Sequence, residues 1–168
     1  TFLTLGSSEL IASASKTVTM RVWSPDAGTV VRLKIEDAAD ATHSVETDAT
    51  TTVAGGWQTL TFDFANQASG TAAFNDAFNY NKASVFFAFG SNGSGKTYYF
   101  DDVAYAEAPI GTPAPTPPPV NSTVHVTFDS GDISGYALGG AQDFGGSGSS
   151  LATSPPAGGS GQAAQVVK

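Results

Sequence analysis

The chain of 168 residues carries 7 Lys and Arg against 15 Asp and Glu, a formal net charge of -8 at pH 7, and it contains no cysteine. This charge disfavours nucleic acid and anionic membrane surfaces as partners, since Lys and Arg drive binding to both. Without cysteine there are no disulfides and no thiolate metal sites, and no apolar run approaches the roughly 20 residues that span a bilayer, so we expect no membrane insertion.

The first two predicted strands show the alternation of apolar and polar side chains that is typical of half-buried strands. The segments TVTMRVWS (17–24) and TVVRLKIED (29–37) both follow it, and SPDAG between them consists of turn residues. We therefore predict that the two strands pair as a hairpin.

Four further segments continue the pattern. They are THSVETDA (42–49), WQTLTFDF (57–64), ASVFFAFG (83–90) and TYYFDDVAY (97–105). The Gly and Asn residues of SNGSGK, between the last two, tolerate positive φ and predict another hairpin. Several short strands without a long helical period indicate an all-β fold, an antiparallel β-sandwich of the jelly-roll type.

The composition changes abruptly after the last of these strands. Six of the 9 prolines fall between residues 106 and 123, which predicts an extended linker over 107–123 that separates a sandwich body, 1–106, from a tail, 124–168. The tail is too poor in large apolar residues to fold alone. We expect strands at 124–128 and 163–168 to complete a sandwich, by folding back or by docking head-to-tail into a neighbouring copy; the stiff prolines favour the neighbour.

Two motifs resemble a known family. VTFDSGDISGY (126–136) and KTYYFDDVAY (96–105) resemble the opening and closing strands of bacterial carbohydrate-binding modules of the galactose-binding-like β-sandwich type. The region between residues 16 and 64 resembles repeats of large secreted polysaccharide-degrading and adhesive proteins. In such modules the TFDSG strand comes first, so the order of the parts is shifted here. The resemblance implies a secreted protein, extracellular or at the cell surface, as the low Lys and Cys content also suggests.

The resemblance also implies a structural calcium ion at the edge of the sandwich, held by the first and last strands. The matching carboxylates in this chain are Asp101, Asp102, Asp129 and Asp132. Calcium prefers six to eight hard oxygen ligands, so either acid of the adjacent pair would join the two from the tail. The alternative is that these acids are ordinary solvated charges at a strand end.

A sugar site needs aromatic faces for stacking and planar polar side chains for hydroxyl groups. The outward row of Arg21, Trp23, Arg32, Lys34, Glu36 and Glu46 has this chemistry. The alternative is a solvated sheet with cross-strand charge pairs. We name Trp23, Arg21, Arg32, Glu46, Trp57 and Tyr80 as candidate carbohydrate-binding residues, although Trp57 also suits core or rim packing.

Catalysis has little support in the sequence. His43 and His125 lack metal-ligand spacing, and GSNGSGKT (90–97) lacks the spacing of a phosphate-binding loop. We therefore predict a non-catalytic protein with polysaccharide as its partner. Two functions stay open, a carbohydrate-binding module stabilised by calcium and a structural tandem repeat of an extracellular adhesin or filament, assembled by strand complementation.

Overall fold

A computed structural model of the chain describes residues 2–4, 16–105, 123–130 and 147–168. These residues form ten strands: β1 (Phe2–Thr4), β2 (Thr17–Ser24), β3 (Val30–Glu36), β4 (Ser44–Thr50), β5 (Gly56–Asp63), β6 (Lys82–Phe87), β7 (Thr97–Tyr105), β8 (Thr123–Val126), β9 (Gly148–Ala152) and β10 (Ala163–Val167). The predicted linker lies almost wholly outside the described residues, as does Asp132.

The strands form two antiparallel sheets that pack face to face. One sheet has four strands in the order β1-β6-β3-β4. The other has six, in the order β5-β2-β7-β10-β9, with β8 also paired to β7. The predicted all-β antiparallel sandwich, completed by strands from the C-terminal tail, is confirmed.

The core lies between the two sheets because the apolar residues of each strand alternate onto its inner face. The largest fully buried side chains are Tyr80, Phe62, Phe64, Phe87, Phe100, Met20, Leu33, Ile35, Val22 and Val31. Burial of each large apolar side chain contributes about 1.5–3 kcal/mol. The tail adds Val126, Phe128, Ala164 and Val166 to the same core, so it packs as part of one hydrophobic unit.

Both predicted hairpins are wrong. β2 belongs to the six-stranded sheet and β3 to the four-stranded sheet, and the chain crosses between the sheets again from β6 to β7. Alternation identifies the buried face of a strand but not its partner, and two strands whose buried faces meet across the core show the same pattern as two paired strands. The turn residues between them therefore reverse the chain from one sheet to the other.

Strand β7 joins the tail to the rest of the sandwich. Along one edge it pairs with β2. Along the other it pairs first with β10, where Ala164 stands opposite Phe100, and then with β8, where Val126 stands opposite Val103. Docking of the same strands into a neighbouring molecule stays a prediction, as do the proposed boundaries of body, linker and tail.

Candidate functional site

A β-bulge in β7 lies at the centre of the candidate metal site. The pairing of β2 with β7 shifts register here, so that Asp102 and Val103 together stand opposite Met20. Asp102 adopts a positive φ of 48°, a left-handed conformation that Asp tolerates better than most residues. The bulge is also where β7 exchanges β10 for β8 as its neighbour. The adjacent acids therefore lie at the point where the two tail strands meet the body.

Asp101 is buried without a hydrogen bond to either carboxylate oxygen. Its exposure is 1%, and neither Oδ atom has a partner within the described part of the chain. Burial raises the pKa of Asp101 to about 7, and the charges of Asp102 and Asp129 act in the same direction. The Asp102 N–H and the positive charge of Arg21 act in the opposite direction and lower the pKa, but burial outweighs them. A buried charge of this kind is unfavourable unless it is protonated or neutralised by a cation.

Asp129, from the segment after β8, contacts the loop that precedes β10. The backbone N–H of Gln162 donates to Asp129 Oδ1 at 2.9 Å. Gly161 has a φ of +61°, and a Cβ at this position would overlap the Asp129 carboxylate, so the close approach requires glycine. The amide oxygen of Gln162 is itself buried without a partner among the described residues. Asp129, whose charge acts on the pKa of Asp101, and Gln162, whose N–H binds Asp129, thus link both tail segments to the residues of the bulge.

These donors fit a calcium ion, which takes oxygen ligands from carboxylates and amides. Both oxygens of Asp101 are unpaired, the Asp129 carboxylate acts on the pKa of Asp101, and Gln162 carries a further unpaired oxygen. Asp102 instead forms an ion pair with Arg21 at 3.5 Å. Among the residues that the structure describes, no group of three or more acidic or His side chains stands together as a metal site. The calcium assignment stays a prediction.

A row of paired residues crosses the outer face of the six-stranded sheet. Trp23 of β2 pairs with Trp57 of β5 on one side and with Tyr99 of β7 on the other. The row continues through Gln165 of β10 to Ser150 of β9. Paired residues of neighbouring strands project to the same face of a sheet, so these five side chains are neighbours on the surface. We call them the outer-face row.

The three aromatic rings of the outer-face row contact one another at an angle. Trp23 and Tyr99 meet edge to face with ring centroids 5.6 Å apart and an interplanar angle of 79°. Trp57 and Tyr99 lie 6.4 Å apart at 50°. All three side chains are half-buried. The rings therefore form an uneven aromatic surface instead of a flat platform.

The loop between β9 and β10, residues 153–162, covers one end of the row. Trp57 Nε1 donates to the carbonyl oxygen of Pro156 at 3.0 Å. Arg21 Nη2 donates to the carbonyl oxygen of Gly158 at 2.6 Å, and its guanidinium lies 5.2 Å from the Trp57 ring centroid. Of the predicted sugar-binding residues, Arg21 and Trp57 thus hold this loop, and Trp23 lies beside them.

The remaining predicted residues lie elsewhere. Arg32 and Glu46 are on β3 and β4 of the four-stranded sheet, so the predicted outward row is divided between opposite faces of the sandwich. Arg32 donates to Asp48 at 2.7 and 2.8 Å and to Glu46 at 3.1 Å, and hydrogen bonding to Asp48 raises the pKa of Arg32.

Lys34 and Glu36, also on β3, form an ion pair on the same face as Arg32. Tyr80 is 2% exposed, and its hydroxyl accepts the N–H of Asn75 at 3.0 Å, so it lies in the core. The structure therefore separates all of these residues from Trp23.

Sequence reasoning missed four residues that the structure places at these sites: Tyr99, Gln162, Gln165 and Ser150. Tyr99 belongs to a run of alternating aromatic residues, half of which must face the core, and it alternates with the buried Tyr98 and Phe100 in β7. Gln162, Gln165 and Ser150 come from the tail, whose register against β7 has no signature in the sequence. This alternation, which puts Tyr99 on the outer face of β7, was a signal in the sequence that could have identified it.

Comparisons with known proteins give no assignment: no protein-family model matches the chain, and a search of curated proteins finds no match. In the described part of the chain there is no helix of the length and apolar character needed to cross a membrane.

Proposed function

We propose that the chain is a non-catalytic extracellular carbohydrate-binding module that is stabilised by calcium. The observation that carries the proposal is the outer-face row, which aligns three aromatic rings with an amide and a hydroxyl across five strands. Aromatic faces stack on the apolar faces of pyranose rings, and neutral polar groups hydrogen-bond to sugar hydroxyls.

Trp23 and Tyr99 supply the stacking surface in this proposal, and Trp57 supports it from the side. Trp57 uses its indole N–H to hold the loop over 153–162, whereas Trp23 makes no side-chain hydrogen bond with any described residue. Gln165 and Ser150 then follow at the spacing of neighbouring strands, about 4.8 Å per strand. A glycan lying along the row would contact rings first and polar groups next.

Calcium has a structural role in the proposal. Asp101 contributes its two unpaired oxygens, and Asp129 and Gln162 contribute from the tail. The ion would neutralise the buried carboxylate and clamp β7 to the segments that follow β8 and precede β10. Because Gln162 ends the loop that Arg21 and Trp57 hold, the metal also helps to fix one border of the outer-face row.

A polysaccharide pull-down tests the proposal. We expect at least one polysaccharide to retain the intact chain in calcium, and a chelator to weaken this retention. Thr61→Ala is the matched control for substitutions in the row, since Thr61 is exposed on the same face of β5 and pairs with Thr19 instead of with an aromatic residue. Failure to retain any polysaccharide would refute the binding function.

A second function has its own support in the topology. One edge of β7 is paired entirely by strands that follow the proline-rich segment. Such strands can be exchanged between copies, which would make a structural repeat that assembles head-to-tail into an adhesin or filament. Concentration-dependent polymers of the intact chain, without retention on any polysaccharide, would favour this second function.

A further inference from the structure

The cationic side chains of the chain are all engaged by its own groups. All 7 Lys and Arg lie within the described residues. The pairs are Lys16 with Asp76, Arg21 with Asp102, Arg32 with Glu46 and Asp48, Lys34 and Lys82 with Glu36, and Lys96 with Asp26. Lys168 Nζ donates to the carbonyl oxygens of Phe87 and Ala88, both at 3.0 Å.

Arg21 is the cation that adjoins the outer-face row, two residues before Trp23 on the same face of β2. Its guanidinium is held from three directions, by the Asp102 carboxylate, the Gly158 carbonyl and the Trp57 ring. Turning towards a sulfate or carboxylate would break these contacts and leave Asp102 unpaired next to Asp101. Arg21 is therefore a poor anion receptor.

The neutral polar groups of the row, apart from the Trp57 indole N–H, are not engaged in this way. Within the described part of the chain, no hydrogen bond is made by the Trp23 indole N–H, the Tyr99 hydroxyl, the Gln165 amide or the Ser150 hydroxyl. All four lie in register along one line across β2, β7, β10 and β9. Uncharged donors and acceptors are thus available along the aromatic surface, whereas Arg21, the cation that adjoins it, is held by other groups.

Extending the proposed function, on which this step rests, we infer that the outer-face row binds uncharged glycans and discriminates against sulfated or uronate-rich ones. An anionic sugar would lose its hydration without gaining a cation, and it would approach a protein of net charge -8. A neutral sugar hydroxyl, in contrast, exchanges water for the row's unpaired groups at little net cost.

The test compares acidic polysaccharides with their own neutralised forms. The probes are alginate beside carboxyl-reduced alginate, carrageenan beside desulfated carrageenan, and the uncharged polymers agarose, laminarin and mannan. Retention of the intact chain is measured in calcium at about 50 and about 500 mM NaCl, because binding through charge weakens with salt whereas neutral binding does not. We expect retention on uncharged polymers only, unchanged by salt.

The variants Tyr99→Ala and Gln165→Ala should reduce this retention at least tenfold, and the Thr61→Ala control should not. Preferential, salt-sensitive retention on an acidic polymer overturns the inference and leaves the binding function standing. Retention on none of the probes overturns both. Retention that the Tyr99→Ala and Gln165→Ala variants do not alter places the glycan elsewhere and also overturns the inference.

Discussion

The edge of one ring meets the face of the other where Trp23 contacts Tyr99, with centroids 5.6 Å apart and an interplanar angle of 79°. Aromatic pairs favour this arrangement because the positive edge of one ring meets the negative face of the other. The contact joins β2 to β7 on the outer face of the sheet, away from the core. Tyr99 thus orients the Trp23 ring, which is half-buried on the outer face and is not enclosed in the core.

Replacing Trp23 by Ala should abolish polysaccharide retention and cost little stability. Loss of the edge-to-face contact should lower the free energy of unfolding by about 0.5–1.5 kcal/mol. Loss of the apolar area that this half-buried ring covers should lower it modestly further. Thermal unfolding and pull-down of Trp23→Ala, with Thr61→Ala alongside, check this. A variant that unfolds at room temperature would show that Trp23 belongs to the packing instead.

Removal of calcium should lower the melting temperature by several degrees. A ligand present at about 100 times its dissociation constant contributes about 2.7 kcal/mol to the free energy of unfolding. Asp101→Asn is the matched control, because it keeps the shape of the side chain but removes the negative charge. Calorimetry should show a chelator response in the wild type and none in the variant. An identical melting curve with and without chelator would show that calcium does not stabilise the fold.

In metal-free buffer, Asp101 should make the protein less stable as the pH rises from about 4 to about 7. Burial raises the pKa of Asp101 from 3.8 to about 7 in the folded state. Between these values the folded chain binds more protons than the unfolded chain, so the free energy of unfolding falls with rising pH.

The pKa values of Glu36 and Asp40 are lowered. Those two acids therefore stabilise the fold at pH values above their ordinary pKa values and lose this contribution in acid. Their effect on the free energy of unfolding is opposite in sign to that of Asp101, because it rises with pH. The difference in melting temperature between Asp101→Asn and wild type isolates the Asp101 effect: the variant's advantage should grow from about pH 4 to about pH 7 and level off above pH 7. A constant difference over this range would contradict the buried, unpaired state of Asp101.

Gly161→Ala should destabilise the junction between the tail segments. The φ of +61° is strained for alanine, at about 1–2 kcal/mol, and the added Cβ would displace the Asp129 carboxylate from the Gln162 N–H. We expect a lower melting temperature and a weaker calcium response. Gly148→Ala is the control, since a Cβ there meets no atom within 4 Å. Equal behaviour of the two variants would argue against the Asp129 contact.

The strands and their buried faces were predictable, because side-chain alternation depends only on local geometry. Val18, Met20 and Val22 lie on the inner face of β2 as the pattern requires. Strand partners were not predictable, because pairing depends on contacts distant in sequence. For this reason Arg21 and Arg32, which follow the same outward pattern, lie on opposite faces of the sandwich.

The bulge had no signature that sequence reasoning could read. It makes Asp101 and Asp102 differ in burial and in partners although they are adjacent and chemically identical. The acids themselves were named from the resemblance, whereas the position of Gln162 beside Asp129 required the register of β10.

Deleting residues 124–168 should leave an unfolded or aggregating fragment. The deletion removes β9, β10 and all of β8 but its first residue, so it exposes one edge of β7. It also uncovers the core around Phe100, which Phe128 contacts edge to face with ring centroids 5.5 Å apart. An open edge beside an apolar face recruits other strands. Circular dichroism and size-exclusion chromatography should show loss of the folded monomer, and a separate peptide of residues 124–168 should restore it.

The same measurements on the intact chain separate the two modes of completion. A monomer at every concentration indicates that the tail folds back on its own body, whereas polymers that grow with concentration indicate docking into the next copy. In both modes the truncated fragment needs the tail. If it is instead a soluble monomer with an unchanged melting temperature, β8 and β10 contribute nothing to stability and strand complementation is wrong.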